Sequence, residues 1–292
     1  MAIGNWEWHG GFFEKIYRID YNVQKNFWGL ISLQKNILVD SHCHLNDEKF
    51  NADLDEVIAR AVNNGVTRII NFGSTIEDSA RVVELAAEYD ELYAGVGVHP
   101  EEVFDMTKAD LDRLASMTEH KKVVAIGEIG LDYYWEKDSD RRLLQQKIFI
   151  QQLDLARQLD LPVCIHEREA HGDALNILKR EGRGLRGVMH CYSGSLEMAR
   201  ELWRMDWLIG VDGPLTFKNA AKLPEIVKAA PSDMLLIETD APYMAPTPYR
   251  GKRNEPSYVK LIAEKLSEFR AEPLELIAQS TTANAERLYF NR

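Results

Sequence analysis

His42 and His44 stand two residues apart at the end of a short apolar run, Ile37–Ser41. In an extended chain, side chains two apart point to the same face, so two imidazoles are presented to one point. Neutral imidazole is a frequent ligand of divalent cations. On its own the pair is a weak signal, because two histidines can also satisfy themselves on backbone carbonyls. Its weight comes from what recurs downstream. Glu128, His166 and His190 each sit at or just after the end of an apolar, strand-like run, and Asp240 follows another closely. Crowding that many ionisable groups together without a cation would cost on the order of several kcal/mol in unpaired polar groups. Nitrogen and oxygen donors in this number exceed one tetrahedral site and suit two cations a few ångströms apart, with a carboxylate between them. Glu128, the carboxylate on the central runs, is the expected bridge. With no thiolate among the candidates, Mg2+, Mn2+ and Zn2+ are all compatible.

The elements that must position these residues are legible from periodicity. From residue 37 onward, β-branched runs alternate with longer stretches whose apolar residues recur at helical spacing, the pattern of repeated βα units. The runs are Ile37–Ser41, Val66–Phe72, Leu92–Val98, Val123–Gly127, Pro162–His166, Gly187–Cys191, Trp207–Val211 and Met234–Glu238. Between the fourth and fifth, Ser139–Asp160 carries Leu144, Ile148, Phe149, Leu153, Ala156 and Leu159 on one helical stripe. An open doubly wound sheet would want a glycine-rich phosphate loop after the first strand, where Ser41-His42-Cys43-His44 stands instead. The expected fold is therefore an α/β TIM barrel, (β/α)8, with the candidate ligands at its C-terminal mouth, where such barrels build active sites. A last helical stretch, Pro273–Phe290, is expected to pack across the outside as a C-terminal cap.

Length and composition agree with one such domain: 292 residues, 45% hydrophobic. No apolar run reaches the roughly 18 residues that cross a bilayer, and the first residues lack the marks of a secretory signal, so a cytoplasmic protein with no membrane partner is expected. Cys43, Cys164 and Cys191 read as reduced packing residues. A net charge of −11 argues against a broad basic surface that grips long duplexes. Residues 1–36, rich in aromatics but broken by charges and by Gly10-Gly11, do not fit the repeat. They read as an appendage of unknown role that lies on the barrel or an upstream start-codon artefact rather than a partner-binding arm or a membrane-surface segment, and no obligate protein partner is evident.

Six segments carry a resemblance: Asp40-Ser41-His42-Cys43-His44-Leu45, Gly97-Val98-His99-Pro100, Gly127-Glu128-Ile129-Gly130-Leu131-Asp132-Tyr133, Ile165-His166-Glu167-Arg168, His190-Cys191-Tyr192-Ser193-Gly194 and Glu238-Thr239-Asp240-Ala241-Pro242. In order and spacing the chain over 37–292 resembles the TatD family of metal-dependent deoxyribonucleases, within the amidohydrolase-like superfamily. The resemblance implies a TIM barrel acting on DNA with two divalent cations. It also implies that His42, His44, Glu128 and Asp240 hold one cation, and Glu128, His166 and His190 the other. Two features depart from it. Glu167 and Glu169 flank Arg168 where family members more often carry Ser and Asp, and residues 1–36 have no counterpart.

On that reading activated water attacks phosphorus, Glu128 and Asp240 are the catalytic carboxylates, and Asp240 is either ligand and base or ligand alone. Arg168 is expected to contact a phosphate, the alternative being a pair with Asp132 or Glu128. Ser193 offers a hydroxyl to an oxyanion or caps the helix that follows, and His99 touches substrate or supports a ligand. The loop Pro246–Pro256, with Tyr249, Arg250, Lys252 and Arg253, joins Lys218 in a small positive rim suited to a single strand or a DNA end. An exonuclease on such ends is the preferred form. A small-molecule amide or ester hydrolase, an aminoacyl-tRNA esterase and a non-enzymatic binding protein are the alternatives.

Overall fold

The computed structural model describes residues 37–291, and the expectations for residues 1–36 lie outside the described residues. Eight parallel strands run in chain order around one sheet: β1 (Leu38–Cys43), β2 (Val66–Phe72), β3 (Leu92–Val96), β4 (Val123–Asp132), β5 (Val163–Arg168), β6 (Gly187–Met189), β7 (Leu208–Val211) and β8 (Leu235–Ile237). A parallel bridge between Cys43 and Ala241 closes β8 onto β1. Helices follow the strands: α1 (Leu54–Asn63), α2 (Ile76–Glu88), α3 (Lys108–Met117), α4 (Ser139–Leu159), α5 (His171–Glu181), α6 (Leu196–Arg204), α7 (Leu223–Ala229) and α8 (Val259–Arg270), with α9 (Leu274–Ala285) last. This is the expected TIM barrel.

The strand limits differ from the periodicity for identifiable reasons. β4 runs five residues past Gly127 because a bulge between Ile126 and Ile129 resets its pairing, after which Gly130, Leu131 and Asp132 lie opposite His166, Glu167 and Arg168 of β5. The register needs a glycine at 130: its φ is +149°, and a Cβ there would meet the His166 carbonyl oxygen at 2.0 Å. β3 stops at Val96 instead of Val98. The Gly97 N–H donates to Ser79 Oγ and its carbonyl accepts from the same hydroxyl. Gln152 brackets Val98 in the same way, Oε1 accepting its N–H at 2.8 Å and Nε2 donating to its carbonyl at 3.0 Å. Two buried side chains from the surrounding helices thus replace a strand ladder.

The C-terminal segment follows the expectation in part. Helix α9 packs in the outer layer, with Ile277 and Ala278 buried there beside Val259 and Ile262 of α8, but the residues after it turn under and close the N-terminal end of the barrel. α9 passes into a π-turn, Glu286–Phe290, and Ala285, Leu288 and Tyr289 pack against the inward-facing Val39, Ile70, Val124, Cys164, Val188, Leu208 and Leu236. Asn284 Nδ2 donates to the Ser232 and Leu235 carbonyls, and Thr282 Oγ1 to that of Ile37, tying the segment to the starts of β8 and β1. The physical reason is that the inner residues at the strand starts are apolar and need cover. The three cysteines are free thiols, with Cys43 and Cys164 buried. No helix among the described residues is long and apolar enough to cross a membrane.

Candidate metal centre

At the other end the inward-facing residues become ionisable. His42, His44, Glu128, His166, His190 and Asp240, spread over two hundred positions of sequence, converge at the mouth, and Glu128 lies at their centre. Its Oε1 is 2.6 Å from His190 Nε2, 2.8 Å from His166 Nδ1 and 3.7 Å from His99 Nε2. Its Oε2 is 3.4 Å from both His42 Nε2 and His44 Nε2. Asp240 Oδ1 faces the same pair, 3.5 Å from His44 Nε2 and 3.8 Å from His42 Nε2. One carboxylate therefore offers one oxygen to each of two imidazole groups.

The surroundings fix the orientation of each ring. His42 lies between Phe72 and His190, stacked on both with centroids 4.5 and 3.9 Å away, and its Nδ1 is 3.2 Å from Cys164 Sγ. His44 Nδ1 donates to the Phe72 carbonyl at 3.0 Å, which turns Nε2 inward. The two Nε2 atoms are 3.1 Å apart. Two nitrogens that each sit about 2.1 Å from a shared cation come to about that separation, so the pair fits a metal on a structural observation. His166 Nε2 donates to Asp132 Oδ2 at 3.1 Å, turning Nδ1 toward Glu128. Among the described residues His190 Nδ1 is buried without a hydrogen-bond partner, the Glu238 carboxylate standing 3.7 Å away. Imidazoles backed by carboxylates are the usual arrangement around bound metal.

Electrostatics in the cluster favour held positive charge. Burial works against ionised Glu128, but His190 and His42, with hydrogen bonds from His166 and His190, keep its carboxyl well below the ordinary range. Burial likewise opposes ionised Asp240, and the bond from His44 with the nearby His190 and His42 still lowers it. His44 goes the other way: burial disfavours its charge, yet Asp240 and Glu128 push it up to about 10. His99 is pushed down to about 3, by burial and then by His166.

The expected substrate residues divide. His99 joins the cluster: its ring meets that of His166 edge-on at 4.3 Å, and its Nδ1 accepts from Glu101 N–H at the start of the 3-10 turn Pro100–Asp105. Arg168 pairs with neither Asp132 nor Glu128; it is exposed at the rim, its guanidinium 3.9 Å above the Tyr134 ring. Ser193 is exposed, and the cap of α6 is Ser195, whose Oγ accepts from Met198 N–H. Lys218 is exposed. Arg253 is committed elsewhere: its guanidinium takes both oxygens of Asp53 at 2.6–2.7 Å and the Lys49 carbonyl, so it ties the long loop to the start of α1. Glu167 receives the Ala170 N–H and lies against His171 Nδ1 at the start of α5, a packing task that explains a carboxylate there.

Sequence reasoning missed four buried partners. Asp132 orients His166. Glu238 accepts from Cys191 N–H and Ser41 Oγ. Gln145 accepts from Asp132 N–H and donates to the Pro100 carbonyl, a signal visible only as a polar residue inside the apolar stripe of α4. Asp212 lies with Cys191 and Asp240, their ligand atoms within 4.8 Å of one another.

The sequence profile of the family described as TatD related DNase matches residues 39–290. An uncharacterised metal-dependent hydrolase of Bacillus subtilis (strain 168), YabD, is 47% identical across 87% of this chain and 99% of its own. Another of Escherichia coli (strain K12), YcfH, is 37% identical across 86% and 95%. Among solved structures, the TatD homologue YjjV of Escherichia coli K12 superposes with a TM-score of 0.80 at 35% identity, covering 87% of this chain and 98% of its own. The fold, the clustered donors and these likenesses together make the chain a member of the TatD family of metal-dependent hydrolases.

Proposed function

We propose that the protein is a cytoplasmic deoxyribonuclease that hydrolyses phosphodiester bonds at DNA ends or in single strands, using two divalent cations, Mg2+, Mn2+ or Zn2+. The observation that carries the two-cation reading is the division of Glu128, Oε1 toward His166 and His190 and Oε2 toward His42 and His44. His42, His44, Glu128 and Asp240 would hold one ion and Glu128, His166 and His190 the other. When bound, such ions supply Lewis acidity toward a phosphoryl group and a nucleophilic hydroxide at neutral pH.

The chain's own residues do the rest. Asp240, kept ionised by His44 and its neighbours, accepts the proton of the attacking water. Asp132 holds the His166 ring so that Nδ1 stays on Glu128. Arg168, unpaired with any carboxylate in the cluster, is free to meet a phosphate. Phosphate chemistry is favoured over amide chemistry by the family and by this exposed arginine.

The test incubates metal-stripped protein with end-labelled single- and double-stranded DNA across a panel of cations and reads product length with time. Cation-dependent shortening from an end, lost in Glu128→Ala, is expected. Intact DNA beside a hydrolysed small ester or aminoacyl-tRNA would assign the enzyme to those substrates instead.

A further inference from the structure

Just beyond β4, the chain exposes two large aromatics at the mouth. Trp135 is 61% exposed and Tyr134 39%, although apolar side chains this size are ordinarily covered. Their rings meet edge-on, centroids 4.7 Å apart. Two cations lie beside them, Arg168 and Lys137, the second paired with Glu169 at 3.6 Å. Arg168 lies 3.9 Å above the Tyr134 ring and 5.6 Å from that of Trp135, and Lys137 Nζ is 5.6 Å from Tyr134. Tyr134 thus has cations against its ring, while most of the Trp135 surface stays open.

This group is rigidly joined to the metal-ligand candidates. Asp132 Oδ1 accepts the Trp135 N–H at 2.9 Å, and its Oδ2 accepts from His166 Nε2 at 3.1 Å. One buried carboxylate therefore sets both the His166 ring and the turn that presents the indole. Beneath it, the buried Tyr133 hydroxyl bonds Asp173 at 2.8 Å, and Lys137 Nζ donates to the Tyr133 carbonyl.

An open aromatic face beside a pre-oriented guanidinium is complementary to a stacked base with its phosphate, and on a chain of net charge −11 such cations stand out. We propose that Trp135, with Arg168 beside it, is a base-stacking subsite for the unpaired nucleotide next to the scissile phosphate. The inference rests on the nuclease reading and adds to it the side chain that holds the base, which must be unpaired, since a paired base keeps its faces inside the duplex stack.

The test compares wild type, Trp135→Ala and Trp135→Phe, all Mn2+-loaded, on two single-stranded oligonucleotides that differ only in having an ordinary or an abasic terminal nucleotide. On the ordinary strand Trp135→Ala raises KM about 5- to 100-fold, and Trp135→Phe restores most of the loss. On the abasic strand wild type and Trp135→Ala converge to within about twofold, because the partner of the indole is already gone. Equal KM losses on both strands would assign Trp135 a structural role and overturn the subsite, as would unchanged KM on the ordinary strand. Failure of wild type to cut either strand removes the nuclease reading itself, a result separate from failure of the subsite.

Discussion

The two ends of the barrel are built from the same eight strands, yet they do opposite things with their inward-facing side chains. At the N-terminal end Val39, Ile70, Val124, Cys164, Val188, Leu208 and Leu236 face in and are sealed by Leu288 and Tyr289. At the C-terminal end, two residues further along several of the same strands, His166, His190 and Glu238 take those positions. The apolar end gains stability from burial and excludes water; the ionisable end is buried at a desolvation cost, offset by hydrogen bonds that His166 donates to Asp132, His44 to the Phe72 carbonyl and the Cys191 N–H to Glu238. A barrel therefore separates stability from chemistry along a single strand.

That separation can be broken from either side. Glu128→Gln has the largest expected effect: activity falls to background and metal content drops, and the stripped variant still folds but with a lower thermal midpoint, because His166 and His190 lose their buried counter-charge, measured by kinetics, elemental analysis and calorimetry. At the sealed end, Tyr289→Ala is expected to cost about 3–5 kcal/mol in denaturant unfolding with metal content unchanged. Asp132→Asn is expected to weaken metal affinity about 10- to 100-fold through His166, leaving the fold intact, as read by calorimetric titration. The smallest effect sharpens the contrast: the Tyr289 hydroxyl is buried without a hydrogen-bond partner among the described residues, so Tyr289→Phe is neutral or stabilising by up to about 1–2 kcal/mol. A loss of activity in either Tyr289 variant at full folding would show that the two ends are not independent.

Much of this organisation is written locally. The eight strand-like runs stand out because parallel strands buried on both faces are continuous in Val, Ile and Leu, and the ligand candidates stand out because each ends such a run. What is not local was missed. The extension of β4 through Asp132 depends on a bulge and on pairing with β5, and an acidic residue inside an apolar run reads as its end. The C-terminal stripe shows that a helix buries one face, but not which surface receives it. Arg253 reads as a free cation because its partner Asp53 lies two hundred positions away. Ser193 reads as a cap for the next helix, but the backbone begins α6 two residues later and the cap is Ser195.

The central claim is that Glu128 joins two ions. Anomalous diffraction from crystals loaded with Mn2+ tests it most directly. The account predicts two peaks about 3.5–4 Å apart, one beside each carboxylate oxygen of Glu128, with His42 and His44 on one and His166 and His190 on the other. A single peak at saturating Mn2+, or a pair of peaks that Glu128 does not touch, would contradict it.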